Sequence, residues 1–178
     1  MSMKSINRKA LSLLTPASLR LPQPICKVPA LGNFSTAAKV GNPICLTFDD
    51  GPDPAYTQKI LDILADYDVK ASFFVLGKAA EQYPNLIEQM VRAGHSIGNH
   101  SYNHHHPWMI SSDSSRYEVT RTSAIIKSIT GDAPRWFRPP FGRLRTAMRK
   151  QAFQERMKTV LWSHSIIDWG PLGTEAGI

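Results

Sequence analysis

Apolar residues along the chain form short runs that alternate with stretches at helical spacing. Ile44-Cys45-Leu46-Thr47-Phe48 reads as a short apolar strand. After an Asp53-Pro54 turn, Ile60, Leu61, Ile63, Leu64 and Tyr67 recur as one face of a helix. The run 71-ASFFVLG-77 predicts a buried strand ending at Gly77. Pro84 suits the first turn of a helix with Leu86, Ile87, Met90 and Val91 on its apolar face and Gly94 as its stop. A short strand, 95-HSIGNH-100, follows, and Ser114 or Ser115 caps a helix through Ala124, Ile125 and Ile129 that Gly131 ends. Trp136-Phe137-Arg138 makes a strand closed by two prolines, residues 146–156 a weaker helix, and 159-TVLWS-163 the last strand.

Repeated strand–helix units imply a parallel sheet with helices on its faces, either open or closed into a barrel. In such folds chemistry collects at the C-terminal ends of strands. The polar clusters of this chain fall there: Asp49/Asp50, His100 onward, Arg138 with its two prolines, and Asp168-Trp169.

Composition narrows the picture. The chain has 178 residues, enough for one well-cored domain. Its formal charge of +7 suggests a polyanion partner until it is mapped along the chain. Six of the 21 basic residues lie in residues 1–48, which contain no acid; beyond them, 15 bases face 14 acids. The domain is near neutral, so no nucleic-acid partner is expected. No window is apolar enough for a membrane span. Residues 1–41 read as a basic, disordered leader without a secretory apolar core, and 42–178 as the domain. The expected location is cytoplasmic, with an organellar transit peptide the alternative for this Ser-containing, acid-free segment. Cys26 and Cys45 are expected to be thiols, the second a buried small hydrophobe in its strand.

The segment 47-TFDDGP-52 places two carboxylates side by side at a strand end, and 100-HSYNHHH-106 sets His100 and His104 four residues apart. Taken alone, the first is a turn and the second a polar loop. Together, two imidazoles and a carboxylate can hold a catalytic zinc with one position open for water. His105 and His106, followed at once by Pro107, are expected to face solvent.

In chain order, TFDDGP, H-S-x-x-H, 138-RPPFG-142 and 168-DW-169 resemble the polysaccharide deacetylase family, the family-4 carbohydrate esterases. The likeness runs from about residue 42 to about 170 and is similar to the nodulation-type chitooligosaccharide deacetylases within it. The resemblance implies an α/β fold, an irregular (β/α) barrel. It implies one divalent metal, zinc first with cobalt or nickel possible, held by Asp50, His100 and His104. Asp49 would be the general base that takes a proton from the attacking water, and Arg138 would pair with it. Pro139 and Phe141 would line the substrate site, Phe141 where the family often has Tyr. Trp169 would form a wall of the sugar pocket, and Asp168 would partner the general acid. The implied activity is hydrolysis of the acetamide of N-acetylglucosamine units in a chitin-like oligosaccharide. The alternatives are an impaired remnant that only binds sugar and a peptidoglycan or other polysaccharide deacetylase.

The pattern departs from the family in two places. Ser165 stands where a further Asp is usual, and no late apolar strand ending in His follows Trp169. The barrel is therefore expected to lack its last strand and helix, and its general acid with them, with His164 the one nearby replacement.

Overall fold

The computed structural model describes residues 45–163. The leader at 1–41, Cys26, His164, Ser165, Asp168, Trp169 and the expected absence of a closing strand and helix all lie outside the described residues.

Among the described residues, five short strands and five helices follow one another: β1 (Thr47–Asp49), α1 (Thr57–Asp66), β2 (Ser72–Val75), α2 (Gly77–Gln82), α3 (Pro84–Arg92), β3 (Ser96–Asn99), α4 (Ser112–Thr130), β4 (Trp136–Phe137), α5 (Thr146–Gln154) and β5 (Lys158–Thr159). Every neighbouring pair is parallel and the strand order is the chain order. The parallel sheet is the one the alternation predicts, and its progressive strand order is that of a (β/α) barrel wall, as the resemblance implies.

The two faces of the sheet follow from the period of two along a strand. Phe48, Phe73, Val75 and Ile97 pack outward against Leu61, Leu64, Ile87, Met90, Ile125 and Ile126 of the helices. A second outward cluster joins Phe137 to Val119, Met148, Ala152 and Met157. The alternate residues Thr47, Asp49 and Phe74 face inward, where Arg138 meets all three. Gly98 belongs to this face too: a Cβ there would lie 2.6 Å from the Phe74 ring.

Local chemistry sets the helix ends, with differences from the sequence expectation. Pro84 opens α3 as expected. Helix α4 starts earlier than Ser114 or Ser115: its cap is Ser111, whose Oγ accepts from the Ser114 N–H at 3.0 Å. Gly131, at φ 83°, closes it as expected. Gly77 does not end a strand but begins the short helix α2, which apolar spacing does not reveal in so few residues. Strand β1 starts at Thr47, so Cys45 precedes the sheet and is exposed rather than buried. Strand β5 likewise covers Lys158–Thr159 and leaves Leu161 and Trp162 beyond it.

Candidate metal centre

Loops at the C-terminal ends of β1, β3 and β4 supply the polar groups, and each leaves its strand through unusual backbone. Asp50, Ser101, His104 and Phe141 have φ of 69°, 71°, 60° and 57°, the left-handed region that non-glycine residues seldom occupy. At Asp50 the consequence is direct. Adjacent residues of a continuing strand would point to opposite faces. The left-handed turn at Asp50 breaks that alternation and brings its carboxylate round to the side that Asp49 already faces.

Asp50 Oδ1 lies 3.4 Å from His100 Nε2 and 3.3 Å from His104 Nε2. Tetrahedral zinc with bonds of about 2.0–2.1 Å sets its ligand atoms roughly 3.3–3.4 Å apart. The donor set therefore fits such an ion in both chemistry and spacing, and all three ligand atoms lie within 4.8 Å of one another. His100 is buried, and its Nδ1 lies 2.7 Å from the Arg138 carbonyl oxygen. Donation of Nδ1–H to that carbonyl leaves Nε2 as the lone-pair atom aimed at the site, the tautomer a metal ligand requires. Burial pulls the His104 imidazole below its ordinary pKa, with Asp50 acting in the opposite sense, which favours the neutral ring. When the imidazoles are protonated, the His100 hydrogen bond holds the Asp50 carboxyl below the ordinary range against the effect of burial, helped by the charges of both rings.

Asp49 has a different setting. Its Oδ1 accepts from Arg138 Nη1 at 2.6 Å, while Oδ2 faces the cluster, 3.9 Å from His100 Nε2. Arg138 is 2% exposed and threads the inward face of the sheet. Nη1 also donates to Thr47 Oγ1 at 2.9 Å, and Nε donates to the Val160 carbonyl at 3.4 Å. The guanidinium carbon stands 4.0 Å from the centre of the Phe74 ring and 5.4 Å from that of Trp162. Burial lowers its pKa and the Asp49 charge opposes this, so the guanidinium keeps its charge through its carboxylate partner. One residue thus orients two others, Asp49 through its side chain and His100 through its backbone.

The loop after Arg138 turns through a 3-10 segment, Pro140–Gly142. Pro139 and Pro140 are buried, and Phe141 projects with its ring 4.5 Å from His104 and 5.2 Å from His106. Gly142 has φ 62°, and a Cβ there would approach the Trp162 ring to 3.1 Å, so this glycine serves both the turn and the packing.

Of the nine site residues expected from sequence, seven lie in the described region. Asp49, Asp50, His100, His104, Arg138 and Phe141 come together, with Pro139 behind them; Asp168 and Trp169 lie outside it. His105 is exposed as expected, yet its Nδ1 lies 3.3 Å from Glu118 Oε1, and His106 is only half-exposed against Phe141. Thr47, Phe74, Glu118 and Trp162 were not singled out in the sequence. For Glu118 a signal existed: it shares the buried face of α4 with Ser115, Val119 and Thr122, at spacings of three and four. A charged residue on such a face needs a partner.

The family model for polysaccharide deacetylases matches residues 37–160. A peptidoglycan-N-acetylglucosamine deacetylase of Bacillus cereus is 40% identical over 126 residues, 71% of this chain and 46% of that protein. The crystal structure of the Bc1960 peptidoglycan N-acetylglucosamine deacetylase with 4-naphthalen-1-yl-N-oxidanyl-benzamide superimposes with a TM-score of 0.64 at 40% identity, covering 67% of this chain and 56% of that one. The family 4 carbohydrate esterase from Streptomyces lividans in complex with acetate gives 0.64 at 34% identity, covering 67% and 62%. The chain thus spans about half the length of the relatives it matches.

Proposed function

Because the chain belongs to the polysaccharide deacetylase family, we propose that it hydrolyses the acetamide of N-acetylglucosamine units in a polysaccharide, releasing acetate. One observation carries the reading: a carboxylate oxygen 3.3 and 3.4 Å from two imidazole nitrogens, beside a second carboxylate held by a buried arginine. Asp50, His100 and His104 would hold a divalent ion, and a mixed nitrogen and oxygen donor set suits zinc, with cobalt or nickel as substitutes. When bound, such an ion supplies Lewis acidity, polarising the acetamide carbonyl and making water acidic enough for a carboxylate to deprotonate.

The chain's own groups do the rest. Asp49 Oδ2 takes one proton from water as its oxygen bonds to the carbonyl carbon. Arg138 fixes the orientation of that carboxylate through Oδ1. As the carbon–nitrogen bond breaks, the amine needs a proton, and the newly protonated Asp49 is the group among the described residues placed to return it. Pro139 stiffens the loop that presents Phe141, whose ring covers the outer side of His104. Trp169 is assigned to a wall of the sugar pocket and Asp168 to partnering an acid on the leaving-group side, both on motif position alone.

For the substrate, peptidoglycan is favoured over a nodulation-type chitin oligomer, because relatives as similar as 40% identical are named as peptidoglycan deacetylases. Acetate release separates the readings. The zinc- or cobalt-loaded protein should release acetate from purified peptidoglycan faster than from chitin oligomers, and a chelator should abolish both. Release from chitin oligomers alone reverses the substrate assignment. Release that persists after the metal is stripped overturns the mechanism.

A further inference from the structure

Glu118 is 2% exposed on the inner face of α4, and nothing assigned above uses its carboxylate. That carboxylate lies under the loop between the two histidine ligands. Oε2 accepts from the backbone N–H of Tyr102 at 2.9 Å and of Asn103 at 2.7 Å. Oε1 accepts from Asn103 Nδ2 at 2.8 Å and lies 3.3 Å from His105 Nδ1. A buried carboxylate is costly unless hydrogen-bonded, and charge-assisted bonds to N–H groups are roughly twice as strong as neutral ones. The loop requires such an acceptor. Ser101 and His104 sit in left-handed backbone, and the segment pairs with no strand, so the amides of Tyr102 and Asn103 have no ladder to join.

We propose that Glu118 is the positioning residue for the His104 ligand. The inference rests on the reading that Asp50, His100 and His104 hold a divalent metal. The two histidines depend on it unequally. His100 directly follows β3, its N–H bonds to the Val75 carbonyl and its Nδ1 to the Arg138 carbonyl. Apart from its contacts with Asp50 and His100 inside the cluster, His104 is held by the Ser101 hydroxyl, 3.2 Å from its N–H, and the ring of Phe141. The turn that carries His104 to Asp50 is therefore held from beneath, by a helix side chain 14 residues further along the chain. Without Glu118 the turn relaxes and the site keeps two ligands of three.

The test is cobalt(II) titration of the full chain against a competing chelator, with the visible absorption of the bound ion recorded alongside thermal unfolding. Glu118→Ala should weaken cobalt binding roughly 10–100-fold, as loss of an outer partner of a metal ligand typically does, and should change the visible bands. Glu118→Gln, whose amide oxygen can still accept the two backbone N–H bonds, should restore most of the affinity. Met90→Ala, in the core and away from the site, should lower the melting temperature with cobalt affinity unchanged. Equal affinity in Glu118→Ala and the native chain overturns the proposal, as does equal loss in Glu118→Ala and Glu118→Gln or in Met90→Ala. If Glu118→Ala fails to fold, Asn103→Ala removes one of the contacts from an exposed position; it should weaken binding to a smaller degree, and unchanged affinity overturns the proposal. A native chain that binds no cobalt instead overturns the metal reading itself.

Discussion

Two buried histidines flank β3, and they share little beyond their side chain. His95 precedes the strand; its Nδ1 accepts from the Ala71 N–H at 3.2 Å, and its ring meets Phe73 edge-on. His100 follows the strand; its Nδ1 bonds to the Arg138 carbonyl and its Nε2 faces Asp50 and Asp49. At the N-terminal end of the sheet a histidine completes backbone hydrogen bonding. At the C-terminal end it presents a nitrogen to an open cluster of carboxylates. Loops leaving the C-terminal ends diverge and leave room for a ligand, whereas the N-terminal ends are covered by helix-to-strand connections. The comparison predicts that substitutions at one end affect chemistry and at the other stability.

The largest effect is expected at Asp50. Asp50→Ala removes one of the three proposed ligands, so metal affinity should fall by more than the roughly 10–100-fold typical of outer partners, and acetate release should vanish with it. Retention of one tightly bound ion, measured by metal analysis after dialysis, would break the assignment of that end. Next comes Asp49→Asn, which should leave metal affinity near native while turnover falls about 10²–10⁴-fold, the usual contribution of a positioned proton acceptor. Parallel loss of metal and turnover would mean that the two aspartates have exchanged roles.

Gly98→Ala probes the strand between the two ends. A methyl placed 2.6 Å from the Phe74 ring must displace it, and Phe74 is the face against which Arg138 stacks. We expect a loss of about 1–3 kcal/mol in denaturant unfolding, the usual cost of overpacking, together with slower turnover through the shifted Arg138–Asp49 pair. The effect should reach both ends because the inward face of the sheet is one packed layer.

The smallest effect belongs to His95. Burial, with Lys70 nearby, lowers its pKa from an ordinary 6.5, so the unfolded chain binds a proton at a pH where the folded chain does not. The stability due to neutral His95 is present above pH 6.5 and is lost as pH falls toward the depressed folded value. In His95→Gln, whose carbonyl oxygen can accept the Ala71 N–H, this part of the acid sensitivity should disappear. Urea midpoints of native and variant chains at pH 7 and 5 measure it, and a gap that does not narrow on acidification would show that His95 does not titrate in this way. Acetate release at pH 7 should be unchanged.

The parallel α/β class, most of the helices and the residues that converge at the cluster, Asp49, Asp50, His100, His104 and Arg138, were legible in the residues. Apolar spacing and the three ordered motifs within the described residues are local properties, and they survive folding. Strand ends were less legible: β1 and β5 are shorter and shifted from the apolar runs that suggested them, because a strand extends only as far as a neighbour pairs with it. Helix α2 and the Ser111 cap were missed because six residues carry too little periodicity and the neighbouring serines are all competent caps.

What the sequence determined by itself is which residues are chemically able to act: adjacent aspartates, histidines four apart, and an arginine before two prolines. Only the tertiary structure decided how they divide the work. Asp49 and Asp50 are the same residue type in adjacent positions. One became the partner of a buried arginine 89 residues away, the other a neighbour of two imidazoles, through a left-handed turn at Asp50 and the alignment of β1, β3 and β4. Glu118 could be recognised as a charged residue on a buried helix face, but its partners were set by where α4 crosses the histidine loop. The physical reason is that hydrogen bonds and ion pairs act over a few ångströms in space, and only the folded chain defines those distances.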